Sequence, residues 1–291
     1  DPINDTLSEG INVGMNVLNE YWAYSSGVLA TNGKIILVPF RRNFIGIYDP
    51  IDDTFNELDI GTINNTVNKF KGGVLAPNGK IIFVPFHSNY IGIYDPIDNS
   101  YNQLELPDNI INATGADEGK FNGGVLATNG KIIFVPNRIN DIGIYDPINN
   151  TFTSTTEDLR DKFHGGVLAP NGKIIFVPKN IDAGGHVHAK VGIYDPINNI
   201  YTVGNDDITH AETGGDFFAN LNEPAHSAKW VGGVLAPDGK IIFIPSKASC
   251  VGIYDPIADR YSNGPNIPDS ENNFENTYAQ IPKFHGGVLA P

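Results

Sequence analysis

The chain has 291 residues, 41% of them hydrophobic and 18% charged, with 33 Asp and Glu against 19 Lys and Arg and a formal net charge of −14. Nucleic acid and anionic membrane surfaces are held through clustered Lys and Arg that offset phosphate charge, so this balance argues against both as principal partners. No stretch approaches the ~18 apolar residues of a membrane-spanning helix, and the single cysteine, Cys250, cannot close an internal disulfide.

In chain order, the first feature is a turn-like Asp1-Pro2-Ile3, and its Asp-Pro pair returns at Asp49, Asp95, Asp146, Asp195 and Asp255. A second phrase, Gly-Val-Leu-Ala, begins at Gly27, Gly73, Gly124, Gly166, Gly233 and, cut short, at Gly287. The two alternate along the whole chain, which makes the protein an array of one repeated unit.

Each unit predicts four strands. Gly-Val-Leu-Ala is the first, and it runs into Asn32-Gly33, Asn78-Gly79, Asn129-Gly130, Asn171-Gly172 or Asp238-Gly239, dipeptides that supply the positive φ angles of a tight hairpin. The second strand, such as Ile81-Ile82-Phe83-Val84, is apolar without alternation, so both faces of its sheet are covered. The third carries a glycine at Gly46, Gly92, Gly143, Gly192 and Gly252, where a neighbouring sheet is expected to approach closely. Asp-Pro then ends that strand, because Pro cannot donate to the ladder. A fourth strand follows around Phe55, Tyr101, Phe152, Tyr201 and Tyr261.

Four antiparallel strands per unit, repeated with no 3.6-residue helical period, describe an all-β fold: a β-propeller of four-stranded blades, in one domain over 1–291. Five units are whole and a sixth is split between the two ends of the sequence. An open ring would leave pairing edges exposed, so the native polypeptide is expected to be longer and to close with six or more blades.

The Ala236-Pro-Asp-Gly-Lys240 hairpin after a first strand resembles the kelch-like and related propellers, over the whole chain. The nearly verbatim Gly-Gly-Val-Leu-Ala-Pro-Asn-Gly-Lys-Ile and Ile-Tyr-Asp-Pro phrases are similar to propeller-repeat proteins encoded by large DNA viruses of amoebae, mimivirus-like in kind. That resemblance implies a repeat protein that docks partners, as a component of a virion or of its assembly.

Links between strands one and two and between strands three and four share one face of a propeller, and here they hardly change. Length variation falls on the other face, in 102–122, 202–231, 262–285 and 179–190, which places docking of a protein partner or self-assembly there. Five units enter their first strand through lysine and an aromatic: Lys69, Lys120, Lys162, Lys229 and Lys283. Lining the axis they form a cationic collar for a small anionic ligand, with His164 and His285 beside it. The alternative is packing, with the aromatic wedged between blades and the lysine stem beside it holding its charge in water. The hairpin lysines Lys34, Lys80, Lys131, Lys173 and Lys240 make a solvated edge. His186 and His188 in Gly184-Gly-His-Val-His188 are the one metal-like pair, short of the further ligands that zinc needs. Asp52, Asp53, Asp98, Asp206, Asp207 and Asp259 fall at turn positions.

No Gly-x-Ser-x-Gly, Ser-x-x-Lys or paired-carboxylate element stands out, and no cofactor is expected. Lactonase-like propellers, which this repeat also resembles, place metal-binding acids once per ring on inner strands that otherwise differ. A non-enzymatic docking or structural propeller is therefore the first reading. A small-ligand or glycan binder, or a metal-dependent hydrolase working at the channel mouth, is the second. The glycan version would stack sugars on Tyr21, Trp22, Tyr24 and Trp230.

Overall fold

A computed structural model describes residues 22–63, 68–113, 119–156, 159, 163–179, 190–206, 208, 230–246, 248 and 250–267. The chain divides into two compact units, with the boundary between Lys120 and Phe121. In the first, β1 (Tyr24–Leu29), β2 (Ile35–Pro39), β3 (Phe44–Asp49) and β4 (Thr54–Asp59) make one sheet. A second sheet follows, of β5 (Phe70–Leu75), β6 (Ile81–Pro85), β7 (Tyr90–Asp95) and β8 (Ser100–Glu105), and then a single helical turn, α1 (Asp108–Ile111). The second unit contains β9 (Phe121–Leu126), β10 (Ile132–Pro136), β11 (Asp141–Asp146) and β12 (Thr151–Thr156). After these come β13 (Phe163–Leu168), β14 (Ile174–Pro178), β15 (Gly192–Asp195) and β16 (Ile200–Val203). The last sheet is β17 (Trp230–Leu235), β18 (Ile241–Pro245), β19 (Cys250–Asp255) and β20 (Arg260–Asn266). Strands in each sheet lie in sequence order and pair antiparallel. Five such sheets are the blades of a β-propeller.

Each first strand starts three residues before the repeated Gly-Val-Leu, on its aromatic residue, and a bulge separates the two, as between Phe163 and Gly166. The bulged residue is a glycine in the left-handed region at Gly72, Gly123, Gly165 and Gly232, with φ of 90, 84, 96 and 125°. In the second unit these glycines touch along consecutive first strands. A Cβ on Gly123 would stand 3.7 Å from Gly165 Cα, and one on Gly165 would stand 3.4 Å from Gly232 Cα. Neighbouring sheets therefore converge at their first strands, and the half-exposed fourth strands lie outermost.

The hairpin between strands one and two departs from the expected two-residue form. Ala30 N–H donates to Lys34 O at 2.8 Å and Gly33 N–H to Ala30 O at 3.0 Å. Only Gly33 of the Asn-Gly pair has positive φ, 82°. This is a three-residue loop with a left-handed glycine closing it, so Asn32 needs no strained backbone and its side chain works in two directions. Its Oδ1 accepts Lys34 N–H at 3.1 Å, and its Nδ2 donates to the Pro96 carbonyl of the next sheet at 2.9 Å. Asn129 reaches Pro196 at 2.7 Å and Asn171 reaches Pro256 at 3.0 Å in the same way. The turn residue is thus also a latch between blades. In the fifth sheet Asp238 stands there and binds its own Lys240, through N–H and ammonium, both at 3.1 Å. Asn171→Asp keeps the acceptor for the turn but sets a carboxylate against the Pro256 carbonyl. It is expected to lower stability by about 1–2 kcal/mol, measured as a shifted urea midpoint with an unchanged slope.

The turns between strands three and four repeat one construction. Asp146 Oδ1 accepts the N–H groups of Ile148 and Asn149 at 3.0 and 3.1 Å. The last turn residue sits in the left-handed region at Asp53, Asn99, Asn150, Asn199 and Asp259, with φ from 49 to 57°. A tyrosine hydroxyl from the end of strand three locks it, as Tyr145 does to Asn150 at 2.9 Å and Tyr254 to Asp259 at 2.7 Å.

Strand two is buried throughout in β6, β10 and β14, as its unbroken apolar run requires. The glycine of strand three has a different neighbour from the one expected. A Cβ at Gly143 would lie 3.0 Å from Phe121, Phe134 and Phe152, all in its own sheet, so the missing side chain makes room for three aromatics of one blade. Close approach of the neighbouring sheet falls instead on the first strand. A Cβ at Gly73 would stand 2.8 Å from both Val28 and Val38, and one at Gly166 would stand 3.1 Å from Val125.

Candidate functional site

The repeated lysine sits directly before the buried aromatic. Lys69 and Lys120 are 2% and 3% exposed. Lys69 N–H donates to Phe40 O at 2.8 Å and its Nζ to Arg41 O at 3.2 Å, while its carbonyl accepts Phe86 N–H at 2.9 Å. Lys120 Nζ donates to His87 O, Ser88 O and Asn89 Oδ1 at 3.2, 3.3 and 3.4 Å. Both ammonium groups are enclosed and held by the turn that follows a second strand, where oxygen acceptors replace water. Burial lowers the Lys120 pKa from 10.5 to about 8.

A lysine whose folded pKa is depressed contributes stability that is full above the unfolded pKa and is lost as pH falls through the folded one. Wild type is therefore expected to gain stability relative to Lys120→Met between pH 8 and pH 10.5. Chemical denaturation of both proteins across that window checks the sign.

The residue after the aromatic is the variable one in an otherwise repeated entry: Ser25, Lys71, Asn122, His164 and Val231. In the first unit Ser25 Oγ accepts Gly72 N–H of the next first strand at 3.2 Å, and Lys71 Nζ lies 5.2 Å from the Phe86 ring centre. In the second unit Asn122 is 5% exposed and its Nδ2 has no hydrogen-bond partner, an uncommon state for a buried donor. His164 occupies the matching place on the adjacent first strand and is half-buried. Comparing the five entries position by position would have singled out this one in the sequence.

The turns between strands three and four carry the most exposed apolar side chains among the described residues: Ile51 and Ile97 in the first unit at 87 and 78%, and Ile148, Ile197 and Ile257 in the second at 71, 66 and 73%. Asp-Pro supplies the turn, the fifth residue its left-handed backbone and the tyrosine its lock, so nothing in the turn calls for isoleucine. The next residue varies between Asp, Asn and Ala while isoleucine does not. Beside these side chains the hairpin lysines pair with the turn aspartates, Lys34 with Asp49 and Lys80 with Asp95, each at 3.5 Å. Asn149 amide hydrogens hold the Asp146 carboxyl below its usual pKa with help from Lys131, and Asn198 and Lys173 do the same for Asp195.

Lys162, Lys229, Lys283, His285, His186, His188 and Tyr21 lie outside the described residues, as do 114–118, 180–189, 209–229 and 268–285 of the variable loops. Trp22 is 58% exposed, whereas Trp230 is fully buried against Phe243 and Tyr261, so it packs a core and offers no stacking surface. Cys250 is likewise a core side chain. Asp206 departs from turn chemistry: it accepts Tyr261 N–H at 2.7 Å and an Arg260 N–H at 2.9 Å, tying the exit of β16 to β20. Among the described residues no group of three His, Cys, Asp or Glu could hold a metal, and no helix is long and apolar enough to cross a membrane.

Blades of this form define a propeller, and solved structures agree. Virginiamycin B lyase from Staphylococcus aureus is similar over 84% of this chain and 70% of its own, at a TM-score of 0.62 and 15% identity. Hydrazine synthase from Kuenenia stuttgartiensis is similar over 88% and 70%, at 0.56 and 12% identity. At such identities the likeness establishes the fold alone. The sequence matches no family and no curated protein.

Proposed function

We propose that this chain is a docking propeller rather than an enzyme, and that a protein partner is held on the invariant face. The observation that carries this is the isoleucine repeated at the tip of every described Asp-Pro turn, 66–87% exposed. Burying such a side chain against a partner yields roughly 1.5–3 kcal/mol, and the three that the second unit presents, Ile148, Ile197 and Ile257, give a surface that no single substitution abolishes. A place in a particle or its assembly, which the likeness to viral propeller-repeat proteins suggests, suits a face of this kind. Hydroxyl-radical footprinting of the isoleucines tests it, in native source material and in purified protein. Docking requires several-fold protection in the native material, and equal labelling in both removes the reading.

A second reading rests on Asn122. Its buried amide hydrogens suit an oxygen of a small anionic ligand entering beside His164. Carboxylate titration of wild type against Asn122→Ala, read by the NMR shifts of first-strand amides, distinguishes it from a packing role: movement in wild type alone supports a ligand site.

A further inference from the structure

The geometry points to a second copy of this chain as the occupant of the invariant face, meeting it through the first two blades of the second unit; this rests on the docking reading. Those blades differ from the rest of the protein in charge. The chain carries −14 overall, 19 basic groups against 33 acidic ones, so two copies repel each other over most of their surface. At the hairpin and turn of the β9–β12 sheet the charged residues are Lys131 and Asp146, and at those of the β13–β16 sheet Lys173 and Asp195. Each pair is one cation and one anion, and the lysines act electrostatically on those aspartates. The neighbouring turn residues are the uncharged Asn149, Asn150, Asn198 and Asn199.

Apolar side chains are also exposed beyond the turn there. Ile148 and Ile197 project from the two turns at 71 and 66% exposure, Ile200 opens β16 at 54%, and Val203, on the other face of that strand, is 45% exposed. From Pro196 to Gly204 the sequence Pro-Ile-Asn-Asn-Ile-Tyr-Thr-Val-Gly holds no charge. Of the other outer strands, β4 carries Glu57 and Asp59, β8 ends on Glu105 and β20 contains Gly264 and Pro265, while β12 is uncharged but made mostly of Thr and Ser. An outer strand that is apolar, uncharged and free of proline is an invitation to pairing.

A two-fold axis fits these features together. An isologous interface sets a patch against itself, so the patch must be its own complement. A surface bearing one lysine and one aspartate per blade meets that condition, since each lysine of one copy can face an aspartate of the other while the isoleucines meet between them. A partner of either net sign would match only half of these charges.

The test is the mass of the purified protein by light scattering across a concentration series, alongside Ile148→Asn, Ile197→Asn and the double variant. Asparagine suits the turn and the side chains are exposed, so melting temperatures should not change. The expected result is a species of twice 31.5 kDa whose dissociation constant weakens at least tenfold in the single variants and further in the double. Lys173→Glu should weaken it at low salt and recover as salt is added. A wild type that stays at 31.5 kDa up to ~0.1 mM, or association indifferent to both isoleucines, overturns the proposal. Footprinting separates the two levels: a monomer whose isoleucines are protected in native material keeps the docking reading with another partner, whereas a monomer without protection loses both.

Discussion

Raising the pH above 10 is expected to unfold the protein cooperatively, at a lower pH than ordinary exposed tyrosines would require. Every described sheet keeps a tyrosine at the end of strand three, and Tyr94, Tyr145, Tyr194 and Tyr254 are at most 2% exposed. Burial pushes Tyr145 up from 10.0 to about 12, with the Asp146 charge adding to it. Burial raises Tyr101 and Tyr261 strongly, and Tyr254 is raised by burial and by its hydrogen bond to Asp259. A tyrosine with a raised folded pKa stabilises the fold fully below pH 10, and that contribution is lost as pH climbs through the folded value, because the unfolded chain has already released its proton. For Tyr145 the two-unit window corresponds to about 3 kcal/mol, and several such groups together exceed the few kcal/mol by which domains are stable.

Tyr101 allows a test at one position. Its buried hydroxyl has no hydrogen-bond partner, and Phe55 and Phe152 fill the same place in other sheets. Tyr101→Phe should therefore leave neutral stability equal or raised by up to about 1 kcal/mol and move the alkaline midpoint upward. Circular dichroism followed through a base titration reads both effects. A midpoint indifferent to Tyr101→Phe would show that alkaline unfolding is driven elsewhere.

The second large effect is expected from a single methyl group. A Cβ at Gly192 would stand 2.7 Å from Phe163 Cζ and 3.1 Å from Phe176 Cβ. Both phenylalanines are fully buried, and their rings pack with centroids 5.3 Å apart. Neither has space to retreat, so Gly192→Ala forces a shift in a close-packed core and lowers stability by about 1–3 kcal/mol, and Gly192→Val by more. If the Phe163 ring is the obstacle, Phe163→Leu should partly rescue Gly192→Ala, giving a coupling of about 0.5–3 kcal/mol in a double-mutant cycle. Strict additivity would mean that the backbone, not the ring, resents the methyl group.

Much of this architecture is legible in the repeats themselves. Ile-Ile-Phe-Val without alternation demands a strand covered on both faces, and Asn-Gly with Asp-Pro marks where strands stop. What the repeats hide is which neighbour each residue serves. Asn171 and Gly192 look the same whether they answer to their own sheet or to the next, because a repeat prints intrablade and interblade roles with equal regularity. Lys120 is a candidate for ligand contact on the expectation that its first strand lines the axis, and only the carbonyls of His87 and Ser88 around its ammonium reveal an enclosed one. The two faces send different signals for a related reason: variation draws attention to the loops of one face, while an apolar residue kept at a turn tip, such as Ile197, is conspicuous only once its exposure is known.

The paired latches also fix how the second unit comes apart. Sheet β13–β16 is joined on one side through the Asn129 bond to Pro196 and on the other through the Asn171 bond to Pro256. Melting it first would break two interfaces, whereas releasing either flanking sheet breaks one of these. In a nearest-neighbour array of this sort disorder advances inward like a fraying rope. The amides of β14 therefore belong to the last segment of the unit to exchange with solvent.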